Sequence, residues 1–181
     1  MNYNGPELAR CAANHTALSP VSILKRVERV HPELPAQIHG SIRRNWGEVA
    51  ERCKRLASAL AKRGVGKGDT VALIAPNIPE ALECALAVPM LGAVLNANNT
   101  RLDADTIAYI LGHGEATVLL VDTEFSGMAA EAVRASGREM LVVDIEDPEG
   151  PGGERIGALT YDALLAEGDP GFAYTLPDDE W

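Results

Sequence analysis

No apolar run in this chain approaches the roughly 20 residues that a membrane-spanning helix needs. Pro, Asn or Glu interrupts each one first, so no membrane span is expected. The opening residues, MNYNGPELARCAANHTALSP, lack the basic start and apolar stretch of a secretion signal, and none is expected. Cysteine is scarce and odd in number: Cys11, Cys53 and Cys84 form no CxxC pair. That excludes a disulfide framework and fits free thiols in a reducing cytoplasm. His15, His31, His39 and His113 never fall at metal-ligand spacing, so no metal site is expected. Basic residues are missing from the C-terminal segment. Residues 144–181 carry 11 acids against Arg155 alone, whereas residues 1–143 hold 15 acids and 15 Lys/Arg. The whole net charge of -10 therefore sits in the last segment. Such a surface repels phosphate backbones and excludes nucleic acid as a partner. It reads as a solvated acidic tail.

At 181 residues and 46% hydrophobic content, the chain suits one globular domain with an ordinary core. Residues 1–20 read as an extended lead-in. Ser19 is placed to cap a helix with Pro20 in its first turn and Val21, Leu24, Val27 and Val30 on one stripe. Pro32 and Pro35 end it. Ile38 and Ile42 flank His39-Gly40-Ser41, the pattern of a small hairpin. Asn45 caps a second helix with Trp46, Val49, Ala50, Cys53, Leu56, Ala57 and Leu60 on one face. Gly64 is expected to end it in a left-handed conformation.

From there short apolar runs alternate with helical patterns. Strands are expected at Val71–Ala75, Ala93–Asn96, Thr117–Val121 and Met140–Ile145. A helix opens at Pro79 and is apolar nearly all round from Ala81 to Leu91, so it should be buried, with a kink at Pro89. A helix capped by Asp103 carries Ile107, Ile110 and Leu111, another covers Met128–Ala135, and a short one runs from Thr160 to Ala166. Strands joined through helices imply right-handed crossovers and a parallel sheet covered on both faces. The fold class is α/β, a parallel sheet flanked by helices with a small N-terminal hairpin. We divide the chain into the lead-in 1–20, an α/β core 21–145 and an acidic, loop-rich segment 146–181.

No constellation supports catalysis alone. The segment RGVGKGD fails as a phosphate loop, because Gly68 stands where Ser or Thr is needed and the segment precedes a strand rather than following one. GPGG at 150–153 could cradle an anion with its N–H groups, but Glu154 would repel phosphate. Asp103 and Asp105 lie on different helix faces and suit a first turn. There is no GxSxG elbow, no HExxH, and no GxGxxG after a strand, which argues against a nicotinamide or flavin domain.

One group of segments carries more. APN at 75–77 with PE at 79–80, then VPMLGAVLNANNTRLDADTIAYIL and EATVLLVD, follow NWGEVAERCKRLASALAKRGVGKGDTVALIAPN. Together they resemble the N-terminal part of an AMP-forming acyl-CoA synthetase of the adenylate-forming superfamily. The resemblance covers roughly residues 17–145, and LNANNTRL and APNIPE are similar to the branch acting on medium-chain and related short acids. The ending LPDDEW resembles the segment before that family's signature loop.

The resemblance implies the N-terminal subdomain of that fold and a two-step reaction in the full-length protein. A carboxylic acid reacts with ATP to an acyl-adenylate, and CoA then takes the acyl group. ATP, Mg²⁺ and CoA serve the full-length enzyme, with none expected tightly bound to this piece. No catalytic residue is expected here, because the Gly/Ser/Thr-rich loop and the later acidic motifs of the family are not in these residues. The resemblance also implies that the strand-to-loop segment Leu95, Asn96 and Ala97 approaches CoA. The other reading of these residues is a strand end whose Asn side chains bond neighbouring backbone in a turn. Asn98, Asn99 and Arg101 invite a substrate role too, against which Thr100-Arg101-Leu102 reads as the structural entry to the helix capped by Asp103. A homo-oligomer is possible, since a buried-type helix needs cover on every side. The alternative for the whole chain is a free-standing, non-catalytic α/β binding or interaction module.

Overall fold

The structure is a computed structural model that describes residues 19–175 together with Ala9, Cys11 and His15. Most of the lead-in and all of LPDDEW lie outside the described residues. Helix α1 (Pro20–Val30) leads into a hairpin of β1 (Pro35–His39) and β2 (Ile42–Asn45), and then into α2 (Trp46–Lys62). Next come β3 (Thr70–Ile74), α3 (Pro79–Met90), β4 (Val94–Ala97), α4 (Ala104–His113), β5 (Ala116–Asp122), α5 (Ser126–Ser136) and β6 (Leu141–Ile145). A two-residue strand β7 (Leu159–Thr160) and α6 (Tyr161–Ala166) follow. Strands β3 to β7 form one parallel sheet in the order β4-β3-β5-β6-β7, and the hairpin stands apart from it.

Local chemistry sets the boundaries. Ser19 accepts from the Val21 N–H at 3.2 Å to start α1. Asn45 and Glu48 form a reciprocal capping box on α2, at 2.9 and 2.8 Å. Asp103 accepts from the Thr106 N–H at 2.8 Å to start α4, and Thr160 accepts from the Ala163 N–H at 3.2 Å to start α6. Gly64 ends α2 at φ +89°, where only glycine sits without strain. Pro89 falls in the last turn of α3, which stops at Met90, so it acts at the helix end rather than midway.

Alternation along the strands divides the core in two. Val71, Leu73, Val118, Leu120, Val143 and Ile145 face one cluster, built with α1, α2, α3 and α6. Ala72, Ile74, Leu119 and Val121 face the other, closed by Ile107 and Leu111 of α4 and Ala129 and Ala132 of α5. The sheet and its core run on past residue 145. β7 pairs with β6, and Tyr161, Leu164 and Leu165 of α6 are buried. A strand of two residues carries no readable period, so sequence pattern could not foresee it. Among the described residues no helix is long and apolar enough to cross a membrane.

One buried charge joins four elements. Glu83 of α3 is fully buried. It accepts from Arg52 of α2 at 2.7 Å, Arg44 of β2 at 3.1 Å and the Tyr161 hydroxyl of α6 at 2.9 Å. Burial alone would lower the Arg52 pKa, but its hydrogen bond to Glu83 and that carboxylate's charge raise it above the ordinary value. Burial, then the Glu83 charge, pushes the Tyr161 hydroxyl well up, so it stays protonated and donates. Replacing Glu83 with Ala removes the acceptor shared by Arg44, Arg52 and Tyr161 and leaves the two half-buried guanidinium groups their longer contacts to Glu80, at 3.8 and 3.7 Å. The expected loss is roughly 3–5 kcal/mol, read as a lower urea midpoint; an unchanged midpoint would show that the cluster is dispensable.

Candidate functional site

Strand order reverses at β3: the chain steps outward from it to β4, then crosses to β5, β6 and β7 on its other side. In open parallel sheets ligands bind outside the carboxyl ends of the strands near such a reversal. Here the carboxyl ends are not equally accessible. Residues 146–157 cover those of β5 and β6. Asp144 accepts from the Ile156 and Gly157 N–H groups at 3.0 and 2.9 Å. The loop passes so close to β5 that a Cβ on Gly153 would lie 1.9 Å from the Thr123 carbonyl. GPGG is therefore a tight cover. The glycines of RGVGKGD lie before β3, and the Gly66 N–H is bonded to Asp69 at 2.7 Å.

The carboxyl ends of β3 and β4 stay open around a cleft of about 470 Å³. Leu73, Ala75 and Pro76 contribute from β3 and its following turn, and Ala81 and Ala85 from α3. Leu95 and Ala97 form the β4 wall, and Asn77, Asn98, Asn99 and Thr100 supply the polar groups. The structure thus brings two of the three expected residues, Leu95 and Ala97, into one cleft. Asn96 alternates to the other face of the sheet. Its Nδ2 lies 3.0 Å from where a Cβ on Gly114 at the end of α4 would stand. Asn99 accepts from the Arg101 N–H at 2.9 Å, a turn bond of the kind that the second reading of this segment expects.

A second cleft of about 460 Å³ lies between the hairpin and the start of α3, lined in part by Gln37, Ile38, His39 and Leu82. Two of its polar side chains, Gln37 and His39, are already occupied. Gln37 donates to the Pro79 carbonyl at 3.0 Å and accepts from Arg44 at 3.1 Å, and His39 pairs with Asp147 at 2.8 Å. A ligand there would meet few free partners. At the end of β5, Asp122 is 2% exposed and accepts from the Glu124 N–H at 2.8 Å. Burial, aided by the charges of Asp147 and Glu124, raises its pKa above the usual carboxylate range. Asp122 lines neither of the two clefts described above. Burial also raises the pKa values of the Cys53 and Cys84 thiols, which makes them poor nucleophiles. Among the described residues no group of three or more His, Cys, Asp or Glu side chains is placed to hold a metal ion.

Comparison with known proteins fixes the family. The family model of the AMP-binding enzymes matches residues 24–164, well over half of the chain. The chain belongs to the AMP-binding enzyme family. It is 43% identical to a peroxisomal acetate/butyrate–CoA ligase of Arabidopsis thaliana, the match covering 97% of this chain and 33% of that protein. A peroxisomal benzoate–CoA ligase of the same plant is 37% identical, over 91% of this chain and 29% of its own length. This AMP-binding chain thus spans about a third of the length of the curated relatives it matches. Its fold is that of an anthranilate CoA ligase crystallised with anthranoyl-AMP, with a TM-score of 0.82 at 20% identity, over 94% of this chain and 32% of that one. A benzoate CoA ligase from Burkholderia xenovorans superposes with a TM-score of 0.74 at 20% identity, over 87% of this chain and 30% of that one. The parallel sheet flanked by helices is therefore the N-terminal architecture of CoA ligases.

Sequence reasoning found the β4 wall of the cleft in this AMP-binding enzyme but missed the contribution of α3, whose Ala81 and Ala85 read only as core positions. It also gave no role to Glu83, which has no local partner in the sequence to mark it. Ala97 is exposed, so Ala97→Leu should narrow the cleft and change stability by no more than about 0.5 kcal/mol. Leu73→Ala, in the buried floor, should cost roughly 2–4 kcal/mol. Equal losses in urea titrations would mean that the cleft wall is packed core.

Proposed function

We propose that this chain is the N-terminal part of an AMP-forming acyl-CoA ligase acting on a short carboxylic acid, and that the cleft at β3 and β4 receives part of CoA. The observation that carries the reading is the open cleft itself, walled by Leu95 and Ala97 in a chain of this family. Arg101, just beyond Thr100 of the cleft wall, makes no ion pair among the described residues and suits the phosphates of CoA. The names of the relatives, acetate/butyrate–CoA ligase and benzoate–CoA ligase, support a small acyl acid.

The chemistry of such a ligase has two steps. A carboxylate is a poor acyl donor, because its charge resists attack and oxide leaves badly. Its oxygen attacks the α-phosphorus of ATP, the bond to pyrophosphate breaks, and an acyl-adenylate forms. The thiol of CoA then attacks the acyl carbon and AMP leaves. Charge developing on phosphorus must be met by positive groups and oriented donors. The described residues offer no cluster fit for Mg²⁺ and no phosphate-cradling loop, so neither role is assigned to them. What this chain contributes is a neutral wall beside the route of CoA.

We place the protein in a reducing compartment, the cytoplasm or the peroxisome that several relatives carry in their names. Self-association is the further proposal from the exposed Ile38, Leu82 and Val94.

Two measurements test the reading. Incubated with ATP, acetate or butyrate, and CoA, the 181-residue chain should release no pyrophosphate above a blank. In ¹⁵N–¹H spectra, CoA should shift the backbone signals of Leu95 and Ala97, and Ala97→Leu should abolish those shifts. Pyrophosphate release would overturn the division of labour, and CoA shifts that spare β4 would overturn the site.

A further inference from the structure

The chemistry of the cleft says which part of a ligand it suits. Among the described residues no Asp, Glu, Lys, Arg or His lines it; its walls are Leu, Ala and Pro, and its polar groups are three Asn and one Thr. A phosphate or carboxylate entering it would lose water without gaining a counter-charge, which is costly. Neutral amide and hydroxyl groups, by contrast, match neutral donors and acceptors on a ligand.

Asn98 gives this match a direction. Its side chain is only 9% exposed. Nδ2 lies 3.0 Å from the Asn96 carbonyl and 3.5 Å from the Leu73 carbonyl. Two carbonyls can only accept, so they fix which end of the amide is the nitrogen; the opposite assignment would set oxygen against oxygen. Oδ1 is buried and has no hydrogen-bond partner among the described residues. A buried acceptor left unpaired costs about 1–3 kcal/mol, which a ligand N–H would recover. Asn98 is one of the residues that line the cleft. The terminal torsion of an Asn side chain is broad, so a ligand N–H would reach Oδ1 by a turn of the amide that gives up the weak 3.5 Å contact to Leu73.

We propose that the cleft binds the uncharged, N–H-bearing portion of its ligand and that Asn98 Oδ1 accepts a hydrogen bond from that N–H. The inference rests on the reading of the cleft as part of a CoA site. CoA offers two such portions, the secondary amides of its pantetheine arm and the amino group of its adenine. In either case the phosphates stay outside the cleft.

The test is a titration of the ¹⁵N-labelled 181-residue chain with pantetheine, adenosine and inorganic pyrophosphate as separate probes, then with CoA. Pantetheine or adenosine should move the Asn98 side-chain amide signals together with the backbone signals of Leu95 and Ala97, and whichever does so identifies the donor. Pyrophosphate should leave them in place. Asn98→Leu should weaken binding of the active probe by roughly fivefold, the effect of one hydrogen bond. The side-chain signals of the unsubstituted chain give the answer even if that variant folds poorly. Shifts with pyrophosphate at the same residues would overturn the neutral-ligand assignment. CoA shifts at Leu95 and Ala97 with the Asn98 side chain unmoved would overturn this inference and leave the CoA site standing. No response to CoA anywhere in the cleft would overturn both.

Discussion

A carboxylate with no access to water must be matched by donors, and Glu83 meets that demand by drawing four elements together. Arg44 comes from the hairpin, Arg52 from α2 and Tyr161 from α6, all converging on one side chain of α3. Each partner arrives from a different part of the sequence, so the match exists only once the chain has folded around it. Ion pairs of this kind often add little net stability over an apolar core. What this one does is fix positions. With Glu83 held toward α2 and α6, the other side of α3 turns Ala81 and Ala85 toward the cleft. The hairpin is tied down by Arg44 at one end, by Gln37 on the Pro79 carbonyl, and by the His39–Asp147 and Ser41–Glu149 bonds near its turn.

The same logic explains why the cleft opens where it does. Every strand of a parallel sheet ends in unpaired backbone groups that need cover or water. Over β5 and β6 that cover is the chain itself: Asp144 binds two loop N–H groups, Gly153 lets the loop lie on Thr123, and Glu149 receives the Ser41 N–H of the hairpin turn. Over β3 and β4 no such loop runs among the described residues, and small side chains leave a gap. The gap is neutral although its neighbourhood is charged, and that neutrality is what distinguishes it as a place for the uncharged part of a ligand.

Much of the fold was legible in the sequence because it is written in local chemistry. Ser19, Asn45 and Asp103 each precede a helix by the single residue that capping requires, and each caps one. The apolar runs at β3 and β5 read as strands buried on both faces, and the two core clusters bear that out. β7 was invisible because two residues have no period. The candidate site was half legible. LNANNTRL pointed to β4, but period-2 alternation sends Asn96 away from Leu95 and Ala97, and the sequence alone does not say which face is open.

Composition and spacing by themselves determined the α/β class, the parallel connection of its strands and the caps that start three of its helices. Those properties follow from neighbours in sequence: caps and periods. Only the tertiary structure decided the strand order, the closure of one half of the sheet edge, the burial of Glu83 and the unpaired oxygen of Asn98. Each of these depends on groups far apart in the chain, such as Tyr161 and Glu83 or Gly153 and Thr123, whose meeting is set by packing and has no local signature.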